Sequence, residues 1–279
     1  MTAAAVPAEG PTRHDPGRGG FAAAVPHALV LSRRAVLGLW RQPNVWVFGS
    51  IFPLLIAAVQ SSAFARSTGL PGFPEVDSFL QFVLPATIIQ VVLFGSINGG
   101  TELGLDLESG FFDRLVAAPT ARVAILLGRL AGVAVLAVAQ TLLYVAIFAA
   151  FGATVRGGIP GIATLVVLSV LLSVGIGGLA CAIGLRTGSA EAVGNSFPLV
   201  FILLFISSAF FPVELMTGWY RSVAERNPLT WMIDGARHQV IVGFDLSEAA
   251  TAFAVALVII VGSFWLAVRQ LQRRLAVAS

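Results

Sequence analysis

The sequence predicts an all-α integral membrane protein of six transmembrane helices, with an amphipathic surface helix ahead of them. Three observations carry this prediction. Of 279 residues, 57% are apolar and only 11% charged, whereas a soluble domain carries roughly 25% charged residues. So few charges do not cover a water-facing surface, and lipid is the solvent for most of the chain. Apolar runs long enough to cross a hydrocarbon core, about 20 residues each, recur along the sequence. A chain of this length suits six such runs joined by short connections.

The first 24 residues read as a disordered cytoplasmic tail. The stretch from Pro7 to Gly20 holds Pro, Gly, His, Arg and acidic residues, without the apolar core or cleavage pattern of a secretory signal. From Val25 to Trp40, the apolar residues Val25, Leu29, Val36, Leu39 and Trp40 recur at helical spacing, while His27, Ser32, Arg33 and Arg34 are polar. This stretch is too short and too charged to span, and it predicts a helix lying on the membrane with Trp40 at headgroup depth. Spans follow at about 45–64, 79–103, 123–151, 159–185, 192–211 and 249–268, within one transmembrane domain over 25–274. Residues 275–279 form a cytoplasmic tail. Pro53, Pro85 and Pro198 lie within the runs and are tolerated in membrane helices.

All 17 basic residues are arginine. With a cytoplasmic N-terminus, 12 arginines lie inside or at the inner boundary and 5 lie outside, so both termini are expected in the cytoplasm. The expected location is the cell membrane, of bacterial type. Small residues pair at four-residue spacing, as in Gly95 with Gly99, Gly100 with Gly104 and Gly128 with Gly132. Such faces let helices approach closely, either within a subunit or between two.

Several function classes lose their chemistry. No dense basic patch suits nucleic acid. Without a lysine the chain has no P-loop to hold ATP phosphates. Cys181 is the one cysteine, and there is no HExxH or GxSxG; His14 and His27 precede the first span, and His238 lies in an outer connection. Neither an intramembrane enzyme nor a metal site is expected. Ion-coupled carriers keep ionisable residues deep in their spans. Here the middles hold neutral Gln60, Gln90, Asn98, Gln140 and Asn195, while Glu102, Arg129 and Glu191 sit near inner ends. An energy source on another chain is the remaining expectation.

Two connections are longer than turns. The inner one, Thr101 to Arg122, contains Glu108, Gly110, Phe111, Phe112, Asp113, Arg114, Leu115, Ala117, Ala118 and Pro119. Residues 108–118 predict a short amphipathic helix, with Glu108, Asp113 and Arg114 on a charged face, Phe111, Phe112, Leu115 and Val116 on an apolar one, and Pro119 ending it. The outer connection runs from Pro212 to Glu248. Its start, with the two residues before it, reads Phe210 to Trp219, followed by Asn227-Pro-Leu-Thr-Trp231 and on to Arg237. Trp219, Tyr220 and Trp231 suit the outer interface, and Glu214, Arg221, Glu225, Arg226, Asp234 and Arg237 are expected to pair or to face water.

Both connections resemble those of ABC type-2 permeases, the membrane subunits of drug-resistance exporters, and the resemblance covers about Arg33 to Arg274. It implies the type-2 permease fold and a coupling helix made by Glu108, Gly110, Phe111, Phe112, Asp113, Arg114, Leu115 and Pro119. It also implies an extracellular gate at Phe211, Pro212, Glu214 and Trp219, in a segment that partly re-enters the membrane. The partners implied are a separate ABC ATPase, which holds ATP and Mg, and a second permease copy, identical or sister. This chain binds no cofactor of its own under that reading. The path would run between the two copies, and Gln60, Gln90, Asn98, Phe201 and Phe205 are the candidate contacts for a hydrophobic drug or lipid-like cargo. Export of a lipid-linked glycan and transport without an ATPase are the alternatives.

Overall fold

The computed structural model describes residues 43–117 and 122–277. The surface helix expected over Val25 to Trp40 and the tail before it lie outside the described residues. Every regular element among those described is helical: α1 (Pro43–Ala63), α2 (Phe79–Glu108), α3 (Phe111–Ala117), α4 (Arg122–Ala150), α5 (Gly158–Thr187), α6 (Ala190–Gly194), α7 (Phe197–Phe205), α8 (Gly218–Arg226), α9 (Pro228–Ile241) and α10 (Leu246–Val277), with short 3-10 turns at Ala65–Gly69 and Val213–Leu215.

Among the described residues, four helices are long and apolar enough to cross a membrane: Phe79–Glu108, Ala124–Ala150, Gly158–Thr187 and Leu246–Ala276. At 1.5 Å per residue, 30 residues measure about 45 Å, more than the hydrocarbon core requires. Two shorter apolar stretches accompany them, Gly49–Ala63 and Ala190–Phe205.

The second of these corrects an expectation. A single helix over 192–211 is replaced by α6, a turn at Asn195 and Ser196, and α7, which ends at Phe205. Local chemistry accounts for the break. Ser196 turns its hydroxyl back onto the Val193 carbonyl (2.6 Å), and Pro198 lacks the N–H that would continue the α6 ladder but fits the first turn of a new helix. Past Phe205, the Asn227 side-chain amide donates to the carbonyls of Leu203 (2.6 Å) and Ile206 (2.8 Å). The last turn of α7 therefore finds its donor in the outer segment rather than in a continuing helix.

α2 is the central post, with nearly every residue from Phe79 to Gly104 buried. It packs against α1, α4, α5, α6 and α9, while α10 closes the far side of α5. Glycines set the closest approaches. A Cβ on Gly100 would stand 2.4 Å from the Ala180 carbonyl carbon of α5, and one on Gly104 would stand 2.5 Å from the Ala190 nitrogen of α6. Gly95 and Gly99 face Leu136, Gln140 and Val133 of α4 instead. The four-residue spacing in α2 thus serves packing within the subunit.

The helix ends remote from α3, which are the outer ends under the expected orientation, are tied by polar side chains. Ser78 caps α2 by accepting from the Gln81 amide. The Gln81 side chain, fully buried, donates to the Thr154 carbonyl (3.0 Å) and reaches the Val240 carbonyl at 3.4 Å. Nearby, Asp77 and Arg156 form an exposed ion pair at 2.7 Å, and the hydrogen bond from Arg156 holds the Asp77 carboxyl below its ordinary range.

Two predictions follow from this packing. Gly100→Val forces α2 away from α5 and costs more than about 2 kcal/mol, read as a lowered midpoint of thermal unfolding in detergent. Gly262→Ala, with open space around its Cα, leaves the midpoint unchanged. Because the Asp77 pKa is depressed on folding, the pair stabilises above the unfolded carboxylate value of about 3.9 and fades as pH falls through the lower folded value. Asp77→Asn should flatten the acid limb of a stability-against-pH profile and leave the neutral region nearly unaltered.

Candidate functional site

At the inner end, α2 runs to Glu108, and Gly110, with φ +67°, turns the chain into α3. Glu108 therefore belongs to α2 and not to the short helix, which corrects the expected charged face. Its carboxylate accepts from the Ala190 amide at 2.8 Å and holds the start of α6. α3 begins at Phe111. Phe112 is 2% exposed and sits among Leu103, Leu126, Cys181, Leu185 and Leu271, from α2, α4, α5 and α10. It pins α3 beneath the bundle, so the ring is part of the body's own core. Asp113 and Arg114 are exposed. Leu115 lies on α3, and Pro119 falls outside the described residues.

Just above this foot, the Arg129 guanidinium on α4 donates to the carboxylates of Glu102 and Asp106, one turn apart on α2. All three groups are largely shielded from water. A charged fork on two carboxylates fixes the register of α4 against α2 where the foot attaches.

At the outer end, α8 and α9 form the connection between α7 and α10. α9 packs against α2, α5 and α10, and Gly235 lets α10 come close at Ala252. Arg237, 6% exposed, is the anchor. Its guanidinium donates to the Asp234 carboxylate (2.7 Å), the Ser208 carbonyl (2.6 Å) and the Phe82 carbonyl (3.3 Å), and it lies 4.0 Å over the Phe82 ring. Asp234 also accepts from the Ser208 hydroxyl at 2.6 Å. The expectation that these charges pair holds for Arg237 with Asp234 and for Arg221 with Glu225 (2.8 Å). The depth at which Arg237 sits was not visible in the sequence.

The gate residues separate in the structure. Phe211 meets Phe64 edge-on at 5.2 Å, and Pro212 is buried, while Glu214 and Trp219 are exposed. The first pair closes over the end of α1, and the second pair faces outward. Trp219 stacks edge-on with Tyr220, and Trp231 donates to the Glu225 carbonyl at 2.9 Å.

The path residues also separate. Gln60 is half-buried near the end of α1, and Gln90 is buried in α2 with its amide nitrogen unpaired. Asn98 lines a cleft of about 430 Å³ bordered by α1, α2, α4 and the α6–α7 break and open on one side, together with Phe52, Phe94 and Gln140. Phe201 and Phe205 stand outside that lining, in a ladder of rings from Phe94 through Phe197 and Phe201 to Phe205 and Phe210, with centroids 4.6–5.9 Å apart. Gln140 is the cavity residue that the sequence flagged only as a polar group in mid-span.

A bundle of long apolar helices, with a helical foot at one end and a knotted hairpin at the other, defines a polytopic membrane protein. The chain belongs to the ABC-2 type transporter family, whose model matches residues 27–241. It is 28% identical over 188 residues to a daunorubicin resistance ABC transporter permease protein from Streptomyces coeruleorubidus; the match covers 67% of this chain and 64% of that relative, so the chain spans less than two thirds of its length. It is also 28% identical over 214 residues to a ycf38 protein, described as a transport permease, from Cyanophora paradoxa, covering 75% of this chain and 72% of the relative. A ycf38 protein from Porphyra purpurea matches to the same extent.

Arg237→Ala should cost about 2–4 kcal/mol, because two buried carbonyls and the Asp234 carboxylate lose their donor. Arg237→Lys, a point charge in place of a planar fork, should recover part of that loss. Thermal unfolding, with limited proteolysis across 206–217, reads both variants.

Proposed function

We propose that this chain is the membrane permease of an ATP-driven exporter, and that α3 is the element through which a separate ABC ATPase acts on it. Family membership supports the class, since ABC-2 permeases work with ATPase partners in ABC transporters. The observation that carries the role of α3 is its construction. One buried ring, Phe112, joins the apolar cluster that α2, α4, α5 and α10 supply, while Asp113 and Arg114 are presented outward. That is the geometry of a docking foot: charges outside for recognition and an apolar root inside for transmission.

In this reading all six apolar segments cross the bilayer, with both termini cytoplasmic. α1, at 21 residues, is about 32 Å long, and α6 with α7 supplies an interrupted fifth crossing completed by the outer hairpin. Two permease copies assemble with two ATPase chains that bind ATP and Mg. The cargo is a hydrophobic drug or lipid-like molecule. The relative named for daunorubicin resistance supports the drug class, and the ladder of phenylalanines on α7 offers an apolar surface for it.

Exchanging the two charges, Asp113→Arg with Arg114→Asp, should weaken capture of the partner ATPase about tenfold or more while leaving thermal stability intact. Phe112→Ala should lower stability by about 3 kcal/mol and thereby lower coupling. Uphill movement of a hydrophobic dye by the isolated chain in liposomes, without ATPase or ATP, would refute the proposal.

A further inference from the structure

The cavity behind Asn98 has a chemistry of its own. Its walls are mainly apolar, and among the described residues no charged side chain lines it. A charged guest would lose its water without compensation there, which selects for neutral molecules. Phe94 and Phe197 bring their rings to 4.7 Å on one side, with Phe52 at 6.2 Å from Phe94. This aromatic wall suits the face of a flat apolar body.

Gln140, 4% exposed, lines the same cavity. Its Oε1 is buried without a hydrogen-bond partner, a condition that native interiors rarely leave uncorrected. The amide lies over Gly95, where a Cβ would stand 2.9 Å from Oε1. The bare Cα makes room for the carboxamide at the cavity wall. A hydroxyl, donor and acceptor at once, satisfies that amide in either orientation about its last bond.

We propose that this cavity binds a flat, neutral, apolar molecule carrying a hydroxyl, and that Gln140 is the residue that selects for the hydroxyl. The inference deepens the export reading by naming a ligand class, and rests on that reading for the step from occupancy to transport. Binding itself needs no ATPase, so the two fail separately.

The test uses the full chain in nanodiscs, with 1-hydroxypyrene and pyrene as probes and empty nanodiscs as the partition reference. The wild type should bind 1-hydroxypyrene about tenfold more tightly than pyrene, the discrimination that one hydrogen bond to a buried amide supplies. Gln140→Leu should bring the two affinities within about twofold of each other. Gly49 lines the far wall with open space above its Cα, so Gly49→Leu should abolish binding of both probes without disturbing the Gln140 wall. Equal affinities in the wild type, a preference that survives Gln140→Leu, or binding indifferent to Gly49→Leu would each overturn the proposal. Selective binding without ATP-driven movement of 1-hydroxypyrene in the assembled complex would uphold the site and overturn the export reading.

Discussion

A guanidinium withdrawn from water constrains the whole outer half of this protein. Arg237 keeps its charge in the interior only because two backbone carbonyls, one carboxylate and one aromatic face converge on it. Those partners come from α2, from the segment after α7 and from α9 itself. Satisfying one side chain therefore fixes where α7 stops, how the outer hairpin folds back, and how deeply α9 inserts between α2 and its neighbours. Asn227 finishes the arrangement by donating to the carbonyls that α7 leaves open. The interruption of that apolar segment is thus held by specific bonds and is not a frayed helix end.

The inner half is organised by a different kind of contact. Glycines at positions 100 and 104 let α2 meet α5 and α6 at backbone distance, and Arg129 clamps α4 onto the same helix through two carboxylates. In lipid, where burying apolar side chains gains little, such close packing and charge-assisted bonds are the available sources of cohesion. α2 serves as the common partner at both ends, and most of its residues are correspondingly buried.

Much of this was legible in the sequence, because lipid solvent leaves a strong compositional imprint. The long helices α2, α4, α5 and α10 appear directly as apolar runs, and the inner and outer connections stand out by their charges. The small-residue spacing of α2 announced close packing without saying against what. Hydropathy passes smoothly through Asn195 and Ser196, since neither disturbs a window average; the turn there depends on the Ser196 hydroxyl, and the stop after Phe205 on donors from Asn227, more than twenty residues away. Glu108 looked like part of the foot because it adjoins it in sequence, yet Gly110 places the break after it. Arg237 read as an outer charge because its partners are two main-chain carbonyls that no sequence pattern displays. Gln140 stood out as polar, but its bearing on a cavity depends on facing Gly95 across a helix pair.

The root of α3 has a mechanical corollary. Phe112 belongs to one buried apolar cluster with side chains from α2, α4, α5 and α10, and dense interiors yield little before they shift together. A displacement applied to that short segment is therefore shared among α2, α4, α5 and α10 as one block. α1 and α7 lie outside the cluster and meet α2 through phenylalanine faces. The buried Tyr144 hydroxyl on α4 also donates to the Ser50 carbonyl of α1 at 2.5 Å. Any slip of α1 past that block must therefore break this bond.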